Sequence, residues 1–392
     1  MTIGAEIGKG LDRVRALGVL GAVAGGALLL WGARSSVQGA LESYLFAYIF
    51  WLNFTLGCLG LLMLHHMVSG GWGFMIQRVI EAGMRTLPVM ALLFVPVLLG
   101  VDILYPWASP ASGAGDQLWR GYLNVPFFTA RALLYFVLWI VMATCLGSWS
   151  RHQDVTGDPR ITRRLRLLSA PGLAVYVLTL TFASVDWVMS LEPGWFSTIY
   201  GLLFVVNQVL AALCLAVIAL WCLAGVPPIA RAVTAERCRH LGNLLLTFVI
   251  LWAYVAYSQY IIIWSGDLPD ENSWYLARLK GGWAYVGILL VVVHFFVPLL
   301  LLLFRRMKHS LGALASVALL LVVMRIADTF WLVVPAFTPG VFRVRWLDLA
   351  APVALGGIWV AAFAWALRRA PLLPARDPRF VLPAAAPAGG EG

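Results

Sequence analysis

Residues 168–189 read LSAPGLAVYVLTLTFASVDWVM, a largely apolar run with a single carboxylate, Asp186, near its end. About 20 apolar residues cross a bilayer as a helix, and a backbone in hydrocarbon must satisfy its own hydrogen bonds. The run therefore reads as a transmembrane helix. Residues 311–334, LGALASVALLLVVMRIADTFWLVV, repeat the pattern. Asp328 lies as far beyond Ser310 as Asp186 lies beyond Leu168, and aromatic residues follow both acids. A carboxylate inside a membrane helix is costly and is by default a candidate for function. The competing reading is an acid that faces water at the interface or caps the next segment.

The rest of the chain fits a membrane setting. Of 392 residues, 61% are hydrophobic and 12% charged, whereas soluble domains carry about 25% charged residues. Ten runs qualify as spans, at 16–31, 44–64, 87–104, 127–147, 168–189, 199–223, 241–264, 283–304, 311–334 and 347–367. The expected fold is an all-α integral membrane protein. The formal net charge of +10 does not point to nucleic acid, because Lys and Arg gather in short loops, where they set topology. One set of loops is basic, through residues such as Lys9, Arg13, Arg78, Arg85, Arg151, Arg163, Arg237, Arg305, Lys308 and Arg368. The opposite set has only Arg34, Arg120, Arg131, Arg278, Lys280, Arg343 and Arg345. This bias predicts that both termini are cytoplasmic. The first run is not followed by a small-residue cleavage site and reads as a retained span. Cys58, Cys145, Cys214, Cys222 and Cys238 form no CxxC or CxxCH, so nothing signals an iron–sulfur cluster, structural zinc or covalent haem c.

Matching features four helices apart predict a parallel repeat, with spans two to five matching six to nine. These are Asp186 with Asp328, Asn53 with Asn207, and Asp102–Pro106 with Asp267–Pro269. The expected organisation is an N-terminal segment and first helix (1–40), a four-helix bundle (41–190), a second four-helix bundle (191–335), a last helix (336–370) and a disordered tail (371–392). The loops at 106–126, with Trp119, Arg120 and Tyr122, and at 266–280, GDLPDENSWYLARLK, carry aromatic residues. These suit an interfacial belt or the docking of a partner.

The proton-path candidates are Asp186, Asp328, Arg325, His294, Tyr254, Tyr257, Ser258, His65 and His66. Arg325 precedes Asp328 by one helical turn, so the two share a face. Such a pair is either structural or holds the acid ionised until a proton competes for it. Histidine as a residue type titrates near neutral pH, so His294 suits a relay, or it is a satisfied core histidine. Tyr254, Tyr257 and Ser258 share a face of helix seven and either line a path or hold helices together. His65 and His66 end helix two; residues 74–85 beyond them read as a short interfacial amphipathic helix, with Glu81 beside a path mouth. A bis-histidine haem lacks a second histidine at the depth of His294. Pro88, Pro96 and Pro298 interrupt spans, but no clear break is expected beside a charged group at mid-depth.

Three blocks carry a family resemblance: SYLFAYIFWLNFTLGCLGLLMLHHMVSGGWGFMIQRVIEAGMRTLPV (43–89), SVDWVMSLEPGWFSTIYG (184–201) and YSQYIIIWSGDLPDENSWY (257–275). Together they resemble the smaller of the two NrfD-like (polysulfide-reductase-like) membrane subunits of alternative complex III, over roughly residues 40–335. The resemblance implies ten helices, as two four-helix bundles flanked by two more, in a bacterial inner membrane. It implies a quinol:electron-acceptor oxidoreductase complex in a respiratory or photosynthetic chain. A larger homologous membrane subunit, an iron–sulfur protein and haem c subunits would be partners and would hold the metals. A quinone or quinol (menaquinol or ubiquinol) would be the mobile cofactor. The implied role is proton translocation or quinol contact, with no catalytic residue carried over. The competing readings are a stand-alone proton-coupled secondary transporter and a non-catalytic anchor for an iron–sulfur or cytochrome c partner.

Overall fold

A computed structural model describes residues 5–109 and 121–380, and among these there is no strand. Ten helices among the described residues are long and apolar enough to cross a membrane: α1 (Glu6–Ser35), α2 (Val37–Val68), α3 (Gly71–Leu99), α4 (Val125–Thr156), α5 (Pro159–Leu191), α6 (Tyr200–Leu223), α7 (Ala235–Gly266), α8 (Trp283–Leu303), α9 (Leu311–Ala336) and α10 (Leu347–Arg368). The chain is thus an all-α membrane protein. Side chains cap several helix starts and satisfy their unpaired N–H groups: Ser36 for α2, Asn124 for α4, Asp158 for α5, Thr234 for α7 and Ser310 for α9.

The helix at the centre is α2. Its most apolar stretch is 94% buried, against 17% for α1, because a helix that is apolar all round has no face to give to water or headgroups. Helices α3, α5, α6 and α10 pack on it. Helix α4 closes a ring against α3 and α5, and α7, α8 and α9 form a corresponding ring with α6. The two rings meet where α2 crosses α6. A Cβ at Gly57 would lie 1.8 Å from the Gln208 carbonyl oxygen, so only glycine permits that approach. Small residues of this kind let membrane helices pack backbone to backbone. Helix α1 runs antiparallel along α10, from the Asp12–Arg368 ion pair at one end to Gly32 beside Leu347 at the other. The end with the start of α1 and the end of α10 is the terminal face, and the opposite end is the far face.

Three expectations change. Residues 71–84 are not an interfacial helix: Trp72 to Met84 are all buried, forming the first part of α3, wedged among α2, α6, α7 and α10. The sequence shows polar residues on one face there, and the structure spends that face on internal ion pairs. The tail is ordered through Phe380. Leu372, Leu373, Asp377 and Phe380 are buried, Phe380 packs 5.6 Å from the Phe74 ring, and Arg379 donates to Ser69 Oγ at 2.9 Å. Residues 381–392 lie outside the described residues, as do Trp119 and Arg120. Arg131 is not a loop residue but lies inside α4, just as Arg13, Arg78, Arg151 and Arg368 of the basic set lie inside α1, α3, α4 and α10.

Two measurements check this packing. Gly57→Ala should destabilise the protein by at least about 1–3 kcal/mol through overpacking, while Gly10→Ala, which meets nothing within 4 Å, should leave thermal unfolding in detergent unchanged. The second concerns Asp377. Burial works to raise its pKa, but the hydrogen bonds and charge of Arg379 prevail and hold it below the usual carboxylate value. Its stabilising contribution is therefore present above about pH 4 and is lost as pH falls through the lower folded-state value. Acidification should release residues 371–380 to proteolysis, and Asp377→Asn should release them at neutral pH.

Candidate functional site

Asp186 sits on α5 one turn from the far face, with no exposed surface. Arg131 projects from the second turn of α4 and meets it side-on: Nε donates to Oδ2 at 2.9 Å and Nη2 to Oδ1 at 2.8 Å. The Tyr135 hydroxyl, one turn further along α4, donates to Oδ2 at 2.9 Å. The remaining Arg131 donor, Nη1, reaches the Tyr122 carbonyl at 2.9 Å, and the guanidinium lies 3.8 Å from the centre of the Tyr122 ring. A bidentate arginine matches both carboxylate oxygens at once and offsets the cost of burying them. Burial, reinforced by the nearby Asp186 charge, pushes the Tyr122 phenol up to about 12, so it stays protonated.

Asp328 on α9 has a different arrangement. Its arginine comes from the same helix: Arg325 Nη2 donates to Oδ2, and Nη1 lies 3.3 Å from His294 Nε2 on α8. Asn207 of α6 donates to Oδ2 at 3.4 Å, and the Trp252 ring of α7 stands edge-on to His294 at 4.4 Å. All four helices of the second ring therefore contribute. His294 Nδ1, Arg325 Nε and Asn207 Oδ1 are buried without a hydrogen-bond partner. His294 lies in a stretch of π-helix, Leu290–Phe296, in which the Val297 N–H reaches the Val292 carbonyl. Pro298 follows and has no N–H to continue α-helical bonding. Such wide turns frequently mark functional positions. A break therefore does lie beside the charged group, contrary to expectation, because Pro298 acts on the turn before it.

A third cluster lies toward the terminal face. Glu81 on α3 is fully buried. Its Oε1 accepts from Gln77 at 2.9 Å and from Ser150 of α4 at 2.6 Å, and its Oε2 accepts from Arg78 at 2.8 Å. Arg78 also pairs with Asp154. His65 and His66 are fully buried nearby, and neither ring nitrogen of either histidine has a hydrogen-bond partner among the described residues. His65 fits because residue 73 is glycine, where a Cβ would sit 1.8 Å from its Nδ1.

Between the ends of the first ring lie further polar contacts: Thr55 with Thr86 at 2.7 Å, Trp359 Nε1 to Thr55 at 2.7 Å, and Tyr176 to Gln208 at 2.9 Å. A cavity of about 10 Å³ touches Asn53, Ser184 and Gln208, and another of about 20 Å³ touches Tyr122, Val185 and Ser190. These are about the size that holds one water.

The structure thus brings Asp328, Arg325 and His294 together and places Asp186 in a separate ring. It turns Tyr254 and Tyr257 outward, 65% and 63% exposed, with Ser258 partly exposed beside them. They do not line an interior path. The inward polar residue of that helix is Gln259, bonded to Ser197 and Tyr275. Arg131, Tyr135, Arg78 and Asp154 were not foreseen. Arg131 was legible as an arginine inside its own apolar run; the others needed the helix pairing. Among the described residues, no group of three or more His, Cys, Asp or Glu side chains is placed to hold a metal. The cavities beside Asp186 are water-sized, so they do not fit a quinone ring. A comparison with protein-family models gives no match to this chain, nor does one with curated proteins.

The Asp186 pair makes a quantitative prediction. Asp186→Leu alone strands a buried guanidinium and should cost about 3–5 kcal/mol, whereas Asp186→Leu with Arg131→Leu should recover much of that loss. Denaturation of the two variants in mild detergent, together with Arg131→Leu alone, completes the cycle.

Proposed function

We propose that this chain is a proton-handling membrane subunit of a quinol-oxidising complex of the alternative complex III type, with no redox metal of its own. The proposal places it in a bacterial inner membrane with both termini cytoplasmic. Its partners are a larger NrfD-like membrane subunit, an iron–sulfur protein and haem c subunits. The resemblance of residues 43–89, 184–201 and 257–275 supports the complex. The observation that carries the proton role is the pair of buried carboxylates at opposite ends of the first ring, Glu81 and Asp186. Between them lie hydroxyl and amide side chains on or against α2 and water-sized cavities.

Proton transfer needs groups that exchange protons within hydrogen-bond reach or through one water. On this reading protons enter at the terminal face beside Glu81, with His65 and His66 next to it as relays. The hydroxyls of the Thr55–Thr86 pair and Tyr176 continue the route, with the Gln208 and Asn53 amides holding water in the cavity between them and Asp186. Asp186 receives the proton through the Tyr135 hydroxyl, and neutralisation loosens its hold on Arg131. Arg131 keeps its bond to the Tyr122 carbonyl, and its charge then favours release of the proton toward Ser190 and the far face. Asp328, Arg325 and His294 occupy the corresponding place in the second ring and couple to the same cycle.

The test is quinol-driven acidification by the intact complex in liposomes, followed with a pH-sensitive dye. Asp186→Asn should lower proton release more than tenfold with all subunits retained and with quinol oxidation slowed. Tyr254→Phe and Tyr257→Phe should stay within twofold of the parent. Undiminished proton release in Asp186→Asn defeats the reading. Loss of the partner subunits instead would identify an anchor, and solute uptake by the chain alone would identify a transporter.

A further inference from the structure

Outside both carboxylate sites, a groove of about 130 Å³ opens between α3 and α4. Arg85 and Pro88 of α3 line it with Ala143, Thr144, Gly147 and Arg151 of α4. Its two arginines converge on one bare stretch of helix. A Cβ at Gly147 would lie 3.8 Å from Arg85 Nε and 4.0 Å from Arg151 Nη1. Among the described residues neither cation is well matched. Glu81 is shared with Arg78, reaching Arg85 only at 3.8 Å, and Arg85 Nε and Nη2 are buried with no hydrogen-bond partner among those residues. Asp154 pairs with Arg78, and Arg151 forms no ion pair with a described residue. Three arginines thus face two carboxylates, and the surplus positive charge sits at the groove.

The depth of the groove identifies the medium. Along α4, Arg131 and Arg151 are separated by about 30 Å at 1.5 Å per residue, which matches the hydrocarbon thickness of a bilayer. Arg151 therefore stands at headgroup level on the terminal side, with Arg85 beside Gly147 about one turn deeper. Thr144 and Pro88 are exposed at the groove, and the outer face of α4 continues as Leu133, Val137 and Val141, all exposed and apolar. One end is cationic and the other is a lipid-facing wall.

We infer that this groove binds the phosphate of an anionic phospholipid, with Arg85 and Arg151 as donors to the phosphate oxygens. The Thr144 hydroxyl adds a third donor, and the acyl chains run along the Leu133–Val137–Val141 face. Arginine suits this role because its planar donors fit phosphate oxygens in pairs. Arg85 also lies 3.8 Å from Glu81, so the test of this site reads lipid retention and not proton release.

The purified protein, stripped of lipid in detergent, can be titrated with phosphatidylglycerol or phosphatidylcholine and read by native mass spectrometry. Phosphatidylglycerol should be retained at least tenfold better. Arg85→Gln with Arg151→Gln should reduce it to the phosphatidylcholine level. Thr144→Trp fills the groove from an exposed position and leaves both arginines intact, so it should do the same even if the double variant folds poorly. Equal retention of the two lipids overturns the inference, as does unchanged retention in Thr144→Trp. Displacement by millimolar inorganic phosphate alone would overturn the lipid in favour of a soluble anion.

Discussion

Each buried carboxylate among the described residues is paired with an arginine. Glu42 and Asp348 share Arg345, Glu81 has Arg78, Asp186 has Arg131, Asp328 has Arg325 and Asp377 has Arg379. A lone charge inside a dry bundle costs several kcal/mol, and a guanidinium offsets this best because its donors fit both carboxylate oxygens. In lipid there is little hydrophobic reward for bringing two apolar helices together. Pairs that cross between helices therefore help to choose neighbours. Arg131 ties α4 to α5, Arg78 ties α3 to α4, and Arg345 ties the start of α10 to α2. On the far face Arg278 does the same for the short helix Pro269–Leu279. It is wholly buried against the Trp274 ring and donates to the Trp331 and Leu332 carbonyls at the end of α9. Burial pushes this guanidinium down, and Glu192 beside it works the other way.

The same device is deployed differently in the two rings. In the first, the arginine reaches Asp186 from a neighbouring helix and takes both oxygens, with a tyrosine hydroxyl as the third donor. In the second, the arginine lies one turn away on the same helix, and a histidine in a widened turn of α8 stands against it. The first arrangement is saturated; the second leaves ring and guanidinium nitrogens without partners. The two acids thus have unequal surroundings.

Much of the fold was readable from one line of text. Ten apolar runs, an all-α class and the burial of Asp186 and Asp328 follow from the cost of placing peptide groups and carboxylates in hydrocarbon. The Arg325–Asp328 contact was readable as well, since a three-residue step on a helix is a contact by construction. The misreadings share one cause. Residues 74–85 and the tyrosines of α7 are polar, but polarity states only that a residue seeks a partner, not where one lies. Gln77, Arg78 and Glu81 found theirs inside the protein, across α4, whereas Tyr254 and Tyr257 faced outward. Residues 371–380 looked like free chain by composition, yet their few apolar side chains fit over the α2–α3 turn.

The number of spans, the helical class and the identity of the two acids were set by residue order alone, because these depend on local composition and on the distance across a bilayer. Three-dimensional packing was needed to pair Arg131 with Asp186 and His294 with Arg325. It also decided that Glu81 is enclosed and that Arg85 and Arg151 converge on one groove. Each of these joins residues from different helices, and in a membrane the rotation of one helix against another is set by the packing of small residues such as Gly57 and by pairwise charge. Neither is written in the period of any single run.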